Sequence, residues 1–398
     1  MINLSLTTVL LLGVLSTMPQ ASSPFEFGTT VRDEFFTDRV QEMQRLITNF
    51  QLGVNTILIS PRRMGKTSLI IKSQSLAASG TLRVASMDIF GCRSPADFLT
   101  AYAAAVVKAA GRKTDDWLRT ARQFLSALAP EITFGNDPQN PFSLRFGIKD
   151  LPQRTEDILN LPERIALQNK VRIVVCIDEF QQIGLFEDSL AFQKLLRSVW
   201  QHHSQVSYCL YGSHKHMMDS IFQTSSAPFY RFGDLFYLDR IPREDWVSFI
   251  VARFNATGKS ISEAIAGRIA DTADRYSYYA LQLAFHVWVS TASVAGEAEF
   301  QRGVDLLLAS CEPTFIEQTV RLTNRQMNFL HALSDGLTSG FSEKAVLDRY
   351  DLTSSSHVIR VREALLEKDM ILRPARGTVL LADPILKLWL QRRVWPAG

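Results

Sequence analysis

The feature that most constrains this chain is an apolar segment followed by a short loop and a helix start, between residues 55 and 70. The loop ends in Gly65-Lys66-Thr67, the layout of a phosphate-binding loop, in which backbone N–H groups and a helix N-terminus hold phosphates. The lysine of such a loop reaches the β- and γ-phosphates, and the hydroxyl beside it holds Mg²⁺. One position departs from the pattern G-x-x-x-x-G-K-[ST], because Ser60 stands at the first glycine. The predicted nucleotide-binding residues of the loop are Ser60, Pro61, Arg62, Arg63, Met64, Gly65, Lys66, Thr67 and Ser68.

A second motif, far downstream, supports the first. Residues 171–177 form a mostly apolar, β-branched run, and Asp178 and Glu179 follow it directly. A continuous apolar run is typical of a strand buried on both faces of a parallel sheet. In P-loop enzymes an aspartate at the end of such a strand holds the Mg²⁺ shell, and an adjacent glutamate can polarise the attacking water. Together the motifs predict an ATP site with Thr67 and Asp178 on the metal and Glu179 as the catalytic base.

Composition indicates a folded globular protein and gives no argument for a nucleic-acid partner. The 398 residues are enough for two or three domains, 46% of them are hydrophobic, and the net charge is only +3. The cysteines are widely spaced and form no zinc pattern, which predicts buried thiols in a reducing compartment and hence a cytoplasmic location. They are Cys92, Cys176, Cys209 and Cys311.

The N-terminal region resembles a targeting segment only in part. Residues 8–15 are apolar like the core of a signal peptide, but no Lys or Arg precedes them. The run is too short for a membrane span, and no other segment is apolar enough to cross a bilayer. We therefore predict that residues 1–23 are an extended gene start, with Met18 as the natural initiator and a true leader or anchor as the alternative. No stable membrane insertion is expected.

The remaining chain is predicted to form three parts. Alternating strands and helices predict a right-handed, mostly parallel α/β sheet over residues 24–241, with a more polar, irregular insertion at about 112–161. Residues 242–320 read as a helical lid, and residues 321–398 as three helices and a hairpin, the arrangement of a winged helix. The predicted starts of those three helices are an N-cap at Thr323, an N-cap at Ser342 and the run Ser354-Ser355-Ser356.

At this point the chain resembles the archaeal-ATPase-type family of P-loop proteins, within or close to the STAND branch of the AAA+ ATPases. The resemblance covers roughly residues 24–395, and its Asp-Glu-Phe-Gln stretch is the most specific part. It implies a nucleotide-binding core, a helical lid and a C-terminal winged helix. The motifs that carry it are Phe35–Arg39, the loop Ser60–Ser68, Met87–Gly91, Ile177–Gln182, Tyr211–Ser213 and Leu381–Leu390.

The resemblance also implies further site residues. Arg39 matches a hydrophobic-Gly-Arg box near the nucleotide, although Asp38 replaces the glycine here. Ser213 matches the polar sensor that orients the attacking water. Arg231 occupies a place where the family often has an arginine that contacts the γ-phosphate.

Three functions remain open from the sequence. The first is an ATP-hydrolysing switch that couples its nucleotide state to the lid and winged helix, with a protein partner or self-association. The second is a DNA-associated ATPase helper in mobility or defence, but the third winged-helix helix interleaves Arg360, Arg362 and Lys368 with acidic residues. The third is a scaffold that binds nucleotide without hydrolysing it. Ser60, and Ser277 at a lid position where the family has proline, motivate this third reading.

Overall fold

The computed structural model separates into two compact units, which we call the sheet unit and the helical unit. The sheet unit is Arg39–Arg240, and the helical unit combines the described residues before Arg39 with those from Ile241 onward. The apolar segment at residues 1–22 and the start of the Phe35–Arg39 motif lie outside the described part. The described residues are 23–28, 38–110, 131–134, 142–145, 151–374 and 377–396.

The sheet unit alternates strands and helices along the chain, as the sequence pattern predicts. A short 3₁₀ helix, Phe180–Leu185, follows the strand Arg172–Asp178. Its elements are α1 Val40–Leu52, β1 Thr56–Ile59, α2 Lys66–Ala77, β2 Leu82–Asp88, α3 Pro95–Ala110, β3 Glu131–Phe134, β4 Phe142–Arg145, α4 Leu151–Leu159, α5 Leu161–Asn169, β5 Arg172–Asp178, α6 Ser189–Trp200, β6 Val206–Gly212, α7 Lys215–Phe222 and β7 Asp234–Tyr237.

Five of these strands form one parallel sheet in the order β2-β5-β6-β1-β7. Alternate β5 residues Ile173, Val175 and Ile177 are fully buried in one apolar cluster with the helices that cover that face. The Trp200 ring stacks on Tyr208 in this cluster, with the ring centroids 4.0 Å apart. Because carboxyl ends of parallel strands share an edge, the ends of β1, β5 and β6 converge. The predicted α/β sheet is confirmed.

The insertion at 112–161 is more regular than its polar sequence indicates, and the expectation of irregular structure was wrong for the parts that can be described. β3 and β4 pair antiparallel as a hairpin, and α4 occupies residues that we expected to be irregular. The polar composition hides the helix because α4 buries only a narrow stripe, which includes Ile158 and Leu159. The predicted loop at residues 135–141 lies outside the described residues.

The helical unit contains the predicted lid helices and the winged helix. Short strands β8 and β9, which the sequence did not indicate, pair in parallel through Ser260 and Val294. None of the helices that the model describes is both long and apolar enough to span a bilayer. The elements are α8 Arg243–Asn255, β8 Ser260–Ile261, α9 Glu263–Thr272, α10 Ser277–Ser290, β9 Val294–Ala295, α11 Glu297–Val320, α12 Asn324–Ser334, α13 Lys344–Arg349, α14 Ser355–Glu367, β10 Ile371–Leu372, β11 Leu380–Leu381 and α15 Pro384–Trp389.

The winged-helix caps follow the sequence at two of three positions. Thr323 caps α12 in a capping box with Gln326, and the Ser354 side chain accepts a hydrogen bond at the start of α14. The predicted cap at Ser342 was wrong, since Glu343 is the N-cap of α13. The reason is local: the Glu343 N–H bonds the Gly340 carbonyl in a turn, which delays the helix by one residue.

Candidate nucleotide-binding site

The predicted phosphate-binding loop lies between β1 and α2. Gly65 adopts φ 83°, a left-handed conformation that favours glycine, immediately before the first residue of α2. Ser60 is fully buried, and its N–H donates to the Gly212 carbonyl at 3.2 Å, which extends the pairing of β1 with β6. The Ser60 hydroxyl bonds the Pro61 carbonyl at 3.1 Å. A serine is thus accommodated where the usual pattern has glycine.

Lys66 connects this loop to the end of β5. Its side chain is only 7% exposed, and its Nζ lies 2.9 Å from Asp178 Oδ1 and 3.4 Å from Glu179 Oε1. The Thr67 hydroxyl donates to the other Asp178 oxygen at 3.2 Å. The two motifs, which are 111 residues apart between Thr67 and Asp178, therefore form one side-chain cluster.

Glu179 is held at both carboxylate oxygens. Ser213, directly after β6, donates to Oε2 at 2.9 Å, and the Gln181 amide donates to the same oxygen. Lys66 lies at Oε1. Sequence reasoning gave Gln181 no role, and its position in the Asp-Glu-Phe-Gln motif was the only signal for it.

The two carboxylates differ in their titration. Burial raises the pKa of Asp178, and the nearby Lys66 only partly opposes this. Burial also acts to raise the pKa of Glu179, but Lys66, Gln181 and Ser213 together outweigh it and hold the pKa below its ordinary value. Glu179 is thereby kept ionised, as a group that accepts a proton must be.

The Thr67 hydroxyl and the Asp178 carboxylate suit a divalent cation that also binds a substrate. A threonine hydroxyl and a carboxylate are oxygen ligands of the kind that Mg²⁺ prefers, and Mg²⁺ is usually bound by few protein groups together with phosphates. Among the described residues, no three His, Cys, Asp or Glu side chains cluster as a protein-only metal site would require. Thr67 and Asp178 are the residues that could hold the ion.

The predicted arginines occupy different places. Arg39 is buried, pairs with Glu42 at 2.9 Å and approaches the Met64 carbonyl at 3.5 Å, so it supports the loop from behind. Arg62 reaches from the loop to Ser213 at 3.4 Å. Arg231 is exposed, and its guanidinium lies over the Tyr230 ring, 5.2 Å from the centroid.

Comparison with known proteins agrees with this architecture. Residues 313–392 match the family model described as a probable winged helix domain. A Walker-type ATPase of Pyrococcus abyssi is 14% identical and superposes with a TM-score of 0.66, covering 92% of this chain and 99% of that one. The Aeropyrum pernix ORC2 protein, in ADPNP–ADP complexes, is 13% identical with a TM-score of 0.55, covering 94% of this chain and 100% of that one. No curated protein matches the chain in sequence.

These likenesses establish the fold. The chain has a parallel-sheet core with the same fold as these two proteins, and its C-terminal part matches a probable winged helix domain. Its fold is similar to that of the Pyrococcus abyssi Walker-type ATPase and of the Aeropyrum pernix ORC2 protein, in agreement with the resemblance. The identities of 13–14% concern the fold alone.

Proposed function

We propose that this protein binds Mg-ATP at the loop Ser60–Ser68 and hydrolyses it. The observation that carries the proposal is the position of Lys66, which pairs with Asp178 and Glu179 at 2.9 and 3.4 Å. A buried lysine beside two carboxylates at a helix N-terminus is arranged to exchange them for phosphate oxygens. The structural likeness to a Walker-type ATPase supports this reading.

Each residue has a distinct part in the proposed reaction. Loop N–H groups and Lys66 bind the phosphates, while Thr67 and Asp178 hold Mg²⁺, which supplies positive charge against the developing phosphate charge. Glu179 takes a proton from the attacking water. Ser213 keeps the Glu179 carboxylate in place through its bond at 2.9 Å. Arg231 remains a candidate for a γ-phosphate contact, and Arg39 for support of the loop.

The output we propose is a switch that relays the nucleotide state to the lid and winged helix, in the manner of AAA+ and STAND proteins. Such coupling requires that ATP and ADP bind two arrangements with different free energies. A protein partner or a second copy would read the change. Cys92, Cys176 and Cys209 are buried thiols, and together with the need for ATP this favours the cytoplasm.

Paired variants at Glu179 and Lys66 test hydrolysis directly. Glu179→Gln should keep binding of a fluorescent ATP analogue and lower phosphate release by roughly 100-fold or more, because the general base is lost. Lys66→Ala should lose binding and release together. Glu187→Gln makes the same charge change at an exposed position eight residues on and should behave as wild type.

The same measurements separate hydrolysis from the scaffold alternative. A scaffold would bind nucleotide without steady phosphate release in the wild-type protein. Release that persists unchanged in Glu179→Gln would refute the assignment of Glu179 as the base.

Duplex DNA is the second candidate partner. The observation in its favour is that Arg360 of α14 and Lys368, which directly follows this helix, are exposed. Against it, Glu363 lies 3.5 Å from Arg362 and 3.7 Å from Arg373, so part of the positive charge is neutralised. DNA binding at this helix would therefore involve few phosphates.

A further inference from the structure

The side chain of Gln181 lies buried at the catalytic edge of the sheet. It is 4% exposed, and it belongs to the 3₁₀ helix that begins directly after Glu179. Its amide nitrogen donates to Glu179 Oε2, the oxygen that also accepts from Ser213 at 2.9 Å. A carboxylate accepts only from donors, so this contact fixes which end of the amide faces Glu179.

The other end of Gln181 occupies a space that exists because residue 212 is glycine. A Cβ on Gly212 would overlap Gln181 Oε1 and lie 2.9 Å from Met218 Sδ. The φ angle of Gly212 lies outside the left-handed region, so the position demands space rather than backbone freedom.

Gln181 Oε1 is also buried without a hydrogen-bond partner among the described residues. Buried polar atoms nearly always have a hydrogen-bond partner. A buried polar atom without one indicates that other contacts of the side chain determine its position. Here the amide end that is paired is the one on Glu179.

We infer that Gln181, seated in the notch at Gly212, is the positioning residue of the proposed hydrolysis. It holds Glu179 Oε2 together with Ser213 and thereby directs Oε1 toward the position that Lys66 now contacts at 3.4 Å. When Lys66 turns to phosphate, Oε1 becomes the oxygen that accepts the proton of water. The inference rests on the proposed ATPase function, and it adds Gln181 and Gly212 to the residues on which that function depends.

Steady-state ATP hydrolysis by the full chain tests the pair. Gln181→Ala should lower kcat by roughly 100-fold, since a small misplacement of a catalytic group has an effect of that order. KM should stay within about two-fold, because Gln181 does not touch the phosphate loop in this arrangement. Gly212→Ala should reproduce the loss by displacing the amide.

The double variant separates positioning from general damage. Gln181→Ala with Gly212→Ala should be no less active than either single variant, because both remove the same contact. It should also melt at a higher temperature than Gly212→Ala alone, since the shortened side chain removes the overlap. Gly184→Ala is the matched control on the same 3₁₀ helix, where a Cβ meets only Met217 Cε at 3.6 Å.

Each outcome decides the matter. Normal kcat in Gln181→Ala, with turnover in the wild type, overturns the inference and leaves the proposed function intact. Losses that multiply in the double variant also overturn it, because they show independent effects. If the wild type binds ATP but releases no phosphate, the proposed function itself fails and the inference fails with it. Should Gly212→Ala not fold, the double variant, in which the overlap is absent, carries the comparison.

Discussion

At the scale of single residues, the candidate site contains backbone conformations that non-glycine residues rarely adopt. Glu179 has φ 53°, Arg63 has φ 70° and Arg39 has φ 72°. Such conformations cost about 1–3 kcal/mol each and persist where the surroundings hold them. At Glu179 the left-handed turn directly follows β5 and lets Lys66 and Ser213 reach the same carboxylate. No pattern of residue types in the sequence predicts this turn.

His203 allows a residue-scale prediction away from the site. Its Nδ1 lies 2.8 Å from the Tyr208 hydroxyl and its Nε2 lies 3.1 Å from Asn160 Oδ1, an arrangement that the neutral ring satisfies. Burial lowers the pKa of His203 to about 4. The unfolded chain binds the proton near pH 6.5, so the free energy of unfolding should fall as the pH drops from about 6.5 to about 4.

Urea unfolding at pH 7 and pH 5 measures that contribution. The wild type should lose about 2 kcal/mol more between the two pH values than His203→Asn does, because the variant has no such ring to protonate. His202→Asn, an exposed neighbour, is the control and should keep the wild-type dependence. Equal losses in wild type and His203→Asn would contradict the prediction.

At the scale of elements, the sequence predicts which of the long strands exist better than it predicts the short strands and their pairing. The strands β1, β5 and β6 are apolar runs whose burial on both faces follows from their composition. The two-residue strands β8 and β9 carry no such run, and their pairing depends on helices that bring residues 260 and 294 together. Contacts distant in sequence decide elements of this kind.

Helix packing in the helical unit gives an element-scale prediction. A Cβ on Gly303 of α11 would lie 2.6 Å from Val287 Cγ2 and 3.0 Å from the Val287 backbone nitrogen in α10. Gly303→Ala should therefore destabilise by about 1–3 kcal/mol, although alanine favours helices, because backbone cannot yield easily.

Gly267→Ala in α9 is the matched comparison. The atoms nearest to its Cβ would be the guanidinium end of Arg243, a flexible side chain that is 48% exposed and can move aside. This variant should be stabilised by about 0.5–1 kcal/mol through helix propensity. Thermal melting of both full-length variants should give shifts of opposite sign in the melting temperature. Shifts of the same sign would show that the packing of α10 against α11 can adjust to the added methyl group.

At the scale of the whole molecule, the order of segments along the chain differs from their grouping into the two units. Phe25 precedes the sheet unit in sequence but belongs to the helical unit, where its ring centroid lies 5.8 Å from Phe254 and 6.3 Å from Phe249. It is only 2% exposed. Residues 24–28, where we predicted the folded part to begin, therefore belong to the unit that the later residues complete.

The charge of the whole molecule sets the expectation for DNA. With 43 basic and 40 acidic residues there is no general attraction to duplex DNA, and the exposed basic residues at α14 are Arg360 and, directly after the helix, Lys368. If the second candidate holds, log K against log salt should have a slope of about −2, the value for roughly two phosphates.

Filter binding at low and moderate salt checks this expectation. Arg360→Ala with Lys368→Ala should abolish binding, whereas substitution of Arg321, an exposed arginine directly after α11, by alanine should not. Absence of binding by the wild type at low salt would remove DNA as a partner.

The sequence by itself determined the class of fold and the two halves of the site. A loop of fixed spacing that ends in Gly65-Lys66-Thr67 and a strand that ends in Asp178-Glu179 are local patterns, so a phosphate-binding chemistry could be proposed for them before any contact was known. Only the tertiary structure decided that Gln181 reaches Glu179, that Gly212 leaves room for it, and that Phe25 belongs to the helical unit. Those facts depend on how separate segments meet in space, which no local spacing encodes.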